Sequence, residues 1–187
     1  MENRQYTILA VAGSLSPDSS NMHILRHIGK SFAGTNIIFT IFEGIGNIPH
    51  FNPAIDTDPA SEPVSIWRDQ LVAADAVLIC TPEYAFGVPG SLKNALDWTV
   101  SSDSFGRKPV GIITASSQGD KAHAALQLTF RALGAKIANG ATLLISFVRT
   151  KINEKGMVTD AGTEQSLQQV INHLVRSITD REPETEE

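Results

Sequence analysis

Residues 6–21 read YTILAVAGSLSPDSSN, and this stretch decides the fold. Its first seven residues, Tyr6–Ala12, are almost continuously apolar, which is typical of a strand covered on both faces of a sheet. Gly13 then permits a sharp turn, and a serine-rich segment follows before helical spacing begins. A buried strand, a polar turn and a helix in this order form the opening unit of a parallel α/β sheet.

The same alternation of apolar runs and helical segments continues along the chain. Apolar runs predict strands at Ile37–Phe42, Ala76–Thr81 and Val110–Ala115, and a weaker run predicts a fifth strand at Ala141–Phe147. The helical stripe is clearest between Leu167 and Ile178. The other predicted helices are Asn21–Phe32, a segment from Pro63 to Ala74, Pro89–Val100 and Lys121–Leu133. This order predicts an α/β protein with a doubly wound, five-stranded parallel sheet and helices on both faces, a three-layer sandwich.

The length of 187 residues favours one domain, which we assign to residues 1–180. Residues 181–187 read REPETEE and are predicted to be a polar C-terminal tail, because the segment is too polar to pack. The proline-rich stretch 44–62 is predicted to be a surface loop over a site rather than a domain boundary.

Charge and hydropathy exclude several classes of partner. The formal net charge is −5 and no run of basic residues is present, whereas proteins that bind nucleic acids or anionic membranes normally carry a basic patch. No segment approaches the roughly 20 apolar residues that a membrane helix requires. Cys80 is the only cysteine, which excludes an internal disulfide and a thiolate metal cluster and fits a reducing compartment. We therefore expect a cytoplasmic protein with neither nucleic acid nor membrane as partner.

The first candidate site follows the first strand, since ligands of doubly wound sheets bind outside the carboxyl ends of the strands. Its hydroxyl and amide groups belong to Ser14, Ser16, Ser19, Ser20 and Asn21. With the free N–H groups of a helix start they form a neutral cradle for a dianion, although a serine-rich loop also serves simply to cap a helix. Neither G-x-x-x-x-G-K-[ST] nor G-x-G-x-x-G is present, which disfavours a kinase and a dinucleotide-fold dehydrogenase.

Two further loops follow the third and fourth strands. Tyr84 and Phe86 offer flat faces just past a strand end, either to an aromatic ring system or to an oligomer contact. Ser116, Ser117 and Gln118 belong to a turn whose backbone donors would stabilise negative charge on a heterocycle.

Taken together, these loops resemble the NADPH-dependent FMN reductase family, flavodoxin-like flavoproteins that include quinone, chromate and azo-dye reductases. The phosphate loop of that family, G-S-x-R-x-x-S-x-N, is matched at Gly13, Ser14, Ser19 and Asn21. Its second motif, P-E-Y-N-x-x-x-P-G-x-L-K-N-A-[IL]-D-W, is matched with unchanged spacing over residues 82–98.

The resemblance, which covers about residues 8–137, implies a flavodoxin-like fold and bound FMN. It places the FMN phosphate at the first loop and the flavin ring against the second. The residues of that second loop are Pro82, Glu83, Tyr84, Ala85 and Phe86. Ser16 stands where the family usually has arginine, which removes a cationic contact, and Ala85 replaces the usual asparagine, which removes a side-chain amide.

The resemblance also implies the activity. It implies an oxidoreductase that passes hydride or electrons from NADPH or NADH through FMN to free flavin, quinone, azo or metal-oxyanion acceptors in a ping-pong cycle, and a homodimer or homotetramer. The cofactor would carry the chemistry, so we predict no catalytic side chain. His23 and His27 lack the glutamate of the zinc-protease motif and lie largely outside the buried helix stripe, so we predict no metal. Two alternatives are a flavodoxin-type electron carrier and a regulatory protein that keeps the fold without turnover.

Overall fold

The computed structural model describes residues 4–153 and 155–179, whose central element is a five-stranded parallel sheet. The strands are β1 Tyr6–Ala12, β2 Ile37–Phe42, β3 Ala76–Thr81, β4 Pro109–Ala115 and β5 Lys136–Ile145. They lie in the order β2-β1-β3-β4-β5, and every neighbouring pair is parallel. The first three apolar runs therefore coincide with strands. The predicted tail, 181–187, lies outside the described residues.

The fifth strand begins and ends earlier than the sequence pattern predicted. The first residues of β5 already pair with β4, with Lys136 opposite Pro109 and Ile137 opposite Val110. The register then shifts at a bulge. Gly140 has a φ of +77° in this irregular part of the strand. The predicted span, Ala141–Phe147, was wrong because Asn139 and Gly140 interrupt the apolar run, so that only the second half of the strand is mainly apolar.

The helices cover both faces of the sheet. They are α1 Ser20–Ser31, α2 Glu62–Ala73, α3 Gly90–Asp97, α4 Asp120–Ala132 and α5 Ala161–Thr179. Alternate residues of β1 point to opposite sides, so that Ile8 packs in one core with α1 and α5 while Leu9 packs in the other with α2, α3 and α4. Trp67 and Phe130 are completely buried in that second core. The predicted three-layer sandwich is confirmed.

Two residues of the second motif hold the long proline-rich loop. The Asn94 side chain accepts a hydrogen bond from Phe51 N at 2.7 Å and donates one to Pro49 O at 2.9 Å. The Trp98 indole N–H donates to Pro49 O at 2.7 Å. The loop is thereby fastened to α3, and none of residues 44–62 lines the cavity described below. Our expectation that this loop lies over the site was wrong for that cavity.

Arg68 of α2 connects the end of α3 to the same loop. The Arg68 guanidinium donates to Trp98 O at 2.9 Å and to an Asp56 carboxylate oxygen at 2.9 Å. Ser101 donates a further hydrogen bond to Asp56. The Ser101 hydrogen bond, together with the nearby Arg68, holds the pKa of Asp56 below its usual range. The second motif therefore includes residues that hold the scaffold together.

Candidate functional site

The main cavity lies at the carboxyl ends of four strands and has a volume of about 620 Å³. This volume is within the range of small-molecule sites. The cavity is lined by Ser14, Ser16, Asp18, Ser19, Ser20, Asn21, Pro82, Glu83, Tyr84, Ala115, Ser116, Ser117, Phe147, Val148, Arg149 and Thr150. All three predicted loops thus contribute to one space.

Three of the predicted site residues lie outside this lining. Phe86 and Gln118 line a neighbouring cavity of about 430 Å³, and Ala85 lines neither. Ser117 and Phe147 line both cavities, which makes them adjoining parts of one depression at the end of the sheet.

The first loop leaves the sheet at Gly13 because no other residue fits there. Gly13 N donates to Cys80 O at 2.8 Å, so the turn is still paired with β3. A Cβ at this position would lie 2.0 Å from Thr81 Oγ1 and 2.6 Å from Thr81 Cβ. This close approach of Gly13 to Thr81 brings the serine loop directly beside the end of β3.

The serines of this loop also bond within the loop. Ser19 Oγ accepts from Met22 N at 3.2 Å and caps α1, and Ser14 Oγ accepts from Ser16 N at 3.3 Å. Capping is therefore a real role of Ser19. Because a hydroxyl can accept and donate at once, both hydroxyl hydrogens remain available to a ligand in the cavity.

Asn21 is turned into the protein rather than outward. Its amide nitrogen donates to Ala115 O at 3.3 Å, and its oxygen accepts from the Cys80 thiol at 3.3 Å. Only 3% of the residue is exposed. The side chain ties the start of α1 to β3 and β4, which leaves the backbone as the main donor to a ligand. Burial raises the pKa of Cys80, which suits a packing role and not a redox role.

Glu83 joins the second loop to the third. Its two carboxylate oxygens accept from Gly119 N at 3.3 Å and from Ala122 N at 2.9 Å. These N–H groups belong to the cap residue and the first turn of α4, and the cap residue, Gly119, has no side chain and a φ of +102°. Glu83 N also donates to Ser116 Oγ at 3.2 Å. The carboxylate thus caps a distant helix and neutralises its partial positive charge.

Tyr84 and Gly87 close a tight turn at the rim. Their backbones exchange two hydrogen bonds of 3.0 and 2.9 Å. Both residues at the tip have positive φ, +49° at Ala85 and +59° at Phe86. This is the conformation of a type I′ turn, which favours glycine and asparagine. The turn holds the Phe86 side chain 72% exposed.

We expect Ala85→Asn to raise the free energy of unfolding by about 0.5–1 kcal/mol, because asparagine tolerates the left-handed conformation that strains alanine. Urea denaturation of the two proteins measures this difference. The control is Ala33→Asn at an exposed position without positive φ. An equal gain at both positions would contradict the argument from turn geometry.

The segment after β5 supplies a wall that the sequence did not reveal. Phe147 N donates to Ser117 O and Val148 N donates to Ser116 O, both at 3.1 Å, which fixes a short 3₁₀ turn, Val148–Thr150, against the loop after β4. The predicted fifth strand ran through Phe147, and that boundary error hid the turn. The sequence analysis also did not name Asp18, which lines the same cavity.

His123 lies on α4 beside the third loop. Its Nδ1 is 2.9 Å from Thr114 Oγ1, and burial lowers the pKa of the imidazole. At the start of the same helix, a hydrogen bond from Lys121 lowers the pKa of Asp120. Neither group lines the main cavity.

The histidine pair His23 and His27, for which no metal was predicted, lies on α1. His27 Nε2 lies 2.7 Å from a Glu164 carboxylate oxygen. Over residues 4–153 and 155–179, no three His, Cys, Asp or Glu side chains are grouped to hold a metal ion. None of the helices in these ranges has the length and apolar character to cross a membrane.

Comparison with known proteins identifies the family. The model of the NADPH-dependent FMN reductase family matches residues 6–150. The chain belongs to this family. The predictions of family, flavodoxin-like fold and NAD(P)H-dependent oxidoreductase class are thereby confirmed.

Relatives of this FMN reductase family member are similar over most of its length. The chain is 32% identical to a 2-hydroxy-1,4-benzoquinone reductase from Burkholderia sp over 181 residues, which cover 93% of this chain and 97% of that protein. It is 35% identical to a quinone reductase from Pseudomonas putida over 116 residues, but this match covers only 59% of this chain and 60% of that protein. It is 30% identical to a quinone reductase from Escherichia coli K12 over 182 residues, 92% of this chain and 91% of that protein.

Solved structures agree on the fold. FerB, a flavoenzyme NAD(P)H:(acceptor) oxidoreductase from Paracoccus denitrificans, superimposes with a TM-score of 0.73 and 28% identity, covering 94% of this chain and 98% of that chain. An archaeal flavodoxin superimposes with a TM-score of 0.61 at 12% identity, covering 91% and 98%, and shows the fold alone.

Proposed function

We propose that this protein is an FMN-dependent NAD(P)H oxidoreductase that reduces free flavin, quinone, azo or metal-oxyanion acceptors by a ping-pong cycle. One observation carries the proposal. The two loops that match the family motifs, and the loop after β4, line a continuous depression at the carboxyl ends of the strands, with a main cavity of about 620 Å³.

The start of α1 suits the phosphate end of FMN. Free N–H groups of the first turn and the hydroxyls of four serines surround one side of the cavity. Such groups bind a dianion without a cation by hydrogen bonding and by the helix dipole. We assign this end to Ser14, Ser16, Ser19, Ser20 and the Asn21 backbone.

The loops after β3 and β4 suit the ring end. Tyr84 offers a flat face, and the Glu83 carboxylate holds the two loops together. We assign the ring contacts to Pro82, Glu83, Tyr84, Ala85, Phe86, Ser116, Ser117 and Gln118. Bound FMN would supply the hydride chemistry, so that this chain needs no catalytic acid, base or nucleophile.

The rim explains how flat substrates would reach the site. Tyr84, Phe86 and Phe147 are 56%, 72% and 67% exposed and lie around the two adjoining cavities. Exposed aromatic faces favour flat partners such as a nicotinamide or a quinone. One open depression serves both, so the nucleotide must leave before the acceptor enters. This supports the ping-pong order.

The test is an FMN titration followed by steady-state kinetics. We expect added FMN to lose fluorescence on binding, and the reconstituted protein to oxidise NADPH or NADH with a quinone without any partner protein. Initial rates at several fixed quinone concentrations should give parallel double-reciprocal lines. Unchanged FMN fluorescence at saturation would refute the proposal. FMN binding without turnover would favour the electron-carrier alternative.

The proposal extends to assembly and location. The family resemblance supports a homodimer or homotetramer in the cytoplasm. Size-exclusion chromatography with light scattering tests the first of these predictions and cell fractionation the second. A monomer at micromolar concentration would contradict the prediction of an oligomer.

A further inference from the structure

The main cavity contains very little positive charge. In the described part of the chain, the charged residues that line it are Asp18, Glu83 and Arg149. Glu83 is occupied by the start of α4, and Asp18 adds a negative charge at the serine loop. Arg149 is therefore the one cation available to an anionic ligand among the described residues that line this cavity.

The backbone of Arg149 is held firmly. The turn that carries it is bonded to the loop after β4 through Phe147 N and Val148 N, and Val148 is 6% exposed. Thr150 Oγ1 donates to Phe147 O at 2.9 Å and closes the turn. The position of the residue is thus set by the sheet edge itself, and its place on the cavity wall does not depend on a mobile loop.

The Arg149 side chain itself is unused. Arg149 is exposed, and within residues 4–153 and 155–179 no group forms a hydrogen bond or ion pair with its guanidinium. An arginine presents a planar fork of N–H donors that matches two phosphate oxygens. The other donors of this site are neutral. The unpaired Arg149 guanidinium would add a positively charged donor for a bound dianion.

We propose that Arg149 is a specificity-determining residue that contacts the phosphate of FMN from the β5 side. The inference rests on the proposed function, since it assigns a residue to the cofactor of that site. It completes the neutral serine cradle with one charge-assisted contact, and it predicts that the protein discriminates FMN from riboflavin through Arg149.

The experiment compares the dissociation constants of FMN and riboflavin, which differ only in the phosphate. Both are measured by fluorescence quenching for the wild type, Arg149→Gln, Arg149→Lys and the control Lys151→Gln. Lys151 is two positions away and does not line the cavity, so the control removes a neighbouring positive charge from outside the lining. We expect Arg149→Gln to weaken FMN binding by about tenfold or more and to leave riboflavin within about twofold.

The remaining variants separate charge from geometry. Arg149→Lys should fall between the wild type and Arg149→Gln, because it keeps the charge and loses the fork. Raising the salt concentration should lower the preference for FMN in the wild type more than in Arg149→Gln.

Several outcomes would overturn the inference. Equal weakening of FMN and riboflavin would make Arg149 a wall residue only. Unchanged FMN binding with a raised KM for NADPH would assign the guanidinium to the nucleotide instead. In both cases wild-type FMN binding survives, so the proposed function stands. A wild-type protein that binds neither flavin would overturn the proposed function and this inference together.

Discussion

Replacing Gly13 by alanine is expected to abolish tight FMN binding and to lower the free energy of unfolding by about 1–3 kcal/mol. The new methyl group would lie 2.0 Å from Thr81 Oγ1, 2.6 Å from Thr81 Cβ and 3.1 Å from Thr81 Cα. Rotating the threonine side chain cannot relieve contacts with its Cβ and backbone, so the chain must move, and overpacking of this kind costs about 1–3 kcal/mol. The strand hydrogen bond from Gly13 N to Cys80 O is strained by the same movement.

The expected loss of FMN binding follows from the position of Gly13 directly before the proposed phosphate site. The serine loop and the first turn of α1 start directly after it, and their donors must converge on one point to hold a dianion. Loss of two hydrogen bonds to a charged group weakens binding by about 100-fold or more. Urea denaturation and FMN titration measure the two effects separately.

A compensating substitution makes this prediction specific. Thr81→Gly removes both side-chain atoms that meet the new methyl group, so the double variant Gly13→Ala/Thr81→Gly should bind FMN more tightly than Gly13→Ala alone. The matched control is Gly90→Ala at the start of α3, where an added Cβ would meet no atom within 4 Å. Failure of the double variant to recover binding would show that the clash with Thr81 is not the cause.

The parts of this protein that sequence predicts well are those whose causes are local. The strand Tyr6–Ala12 is apolar except for Thr7, and the glycine that follows it is succeeded at once by polar donors and a helix stripe. Each of these features lies within a few residues of its effect. The fold and the first loop could therefore be derived from short segments of the chain.

The remainder depends on partners that are far apart in sequence. Glu83 bonds to N–H groups 36 and 39 positions away, and Asn94 holds a loop more than 40 positions before it. No local pattern indicates either pairing. Arg149 was missed for a different reason, because the candidate loops were those after the first, third and fourth strands, and the segment after β5 carries no polar motif.

Replacing Glu83 by alanine is expected to lower the free energy of unfolding by about 1–2 kcal/mol and to weaken FMN and riboflavin to the same extent, by about tenfold. The substitution leaves Gly119 N and Ala122 N without acceptors and removes a negative charge from the start of α4. Losing a helix cap costs about 0.5–2 kcal/mol, and the dipole contribution adds to it. The loop 116–118 loses its anchor to the second loop, so the proposed ring contacts loosen while the phosphate cradle, on α1, is untouched.

This equal weakening distinguishes Glu83 from Arg149, whose replacement should affect FMN alone. Glu83→Gln keeps one acceptor oxygen and should lie between the wild type and Glu83→Ala in both stability and flavin affinity. Glu43→Ala, at an exposed position away from the cavity, controls for the loss of a negative charge. A Glu83→Ala protein that unfolds as the wild type does, yet loses flavin binding, would mean that the carboxylate contacts the flavin directly.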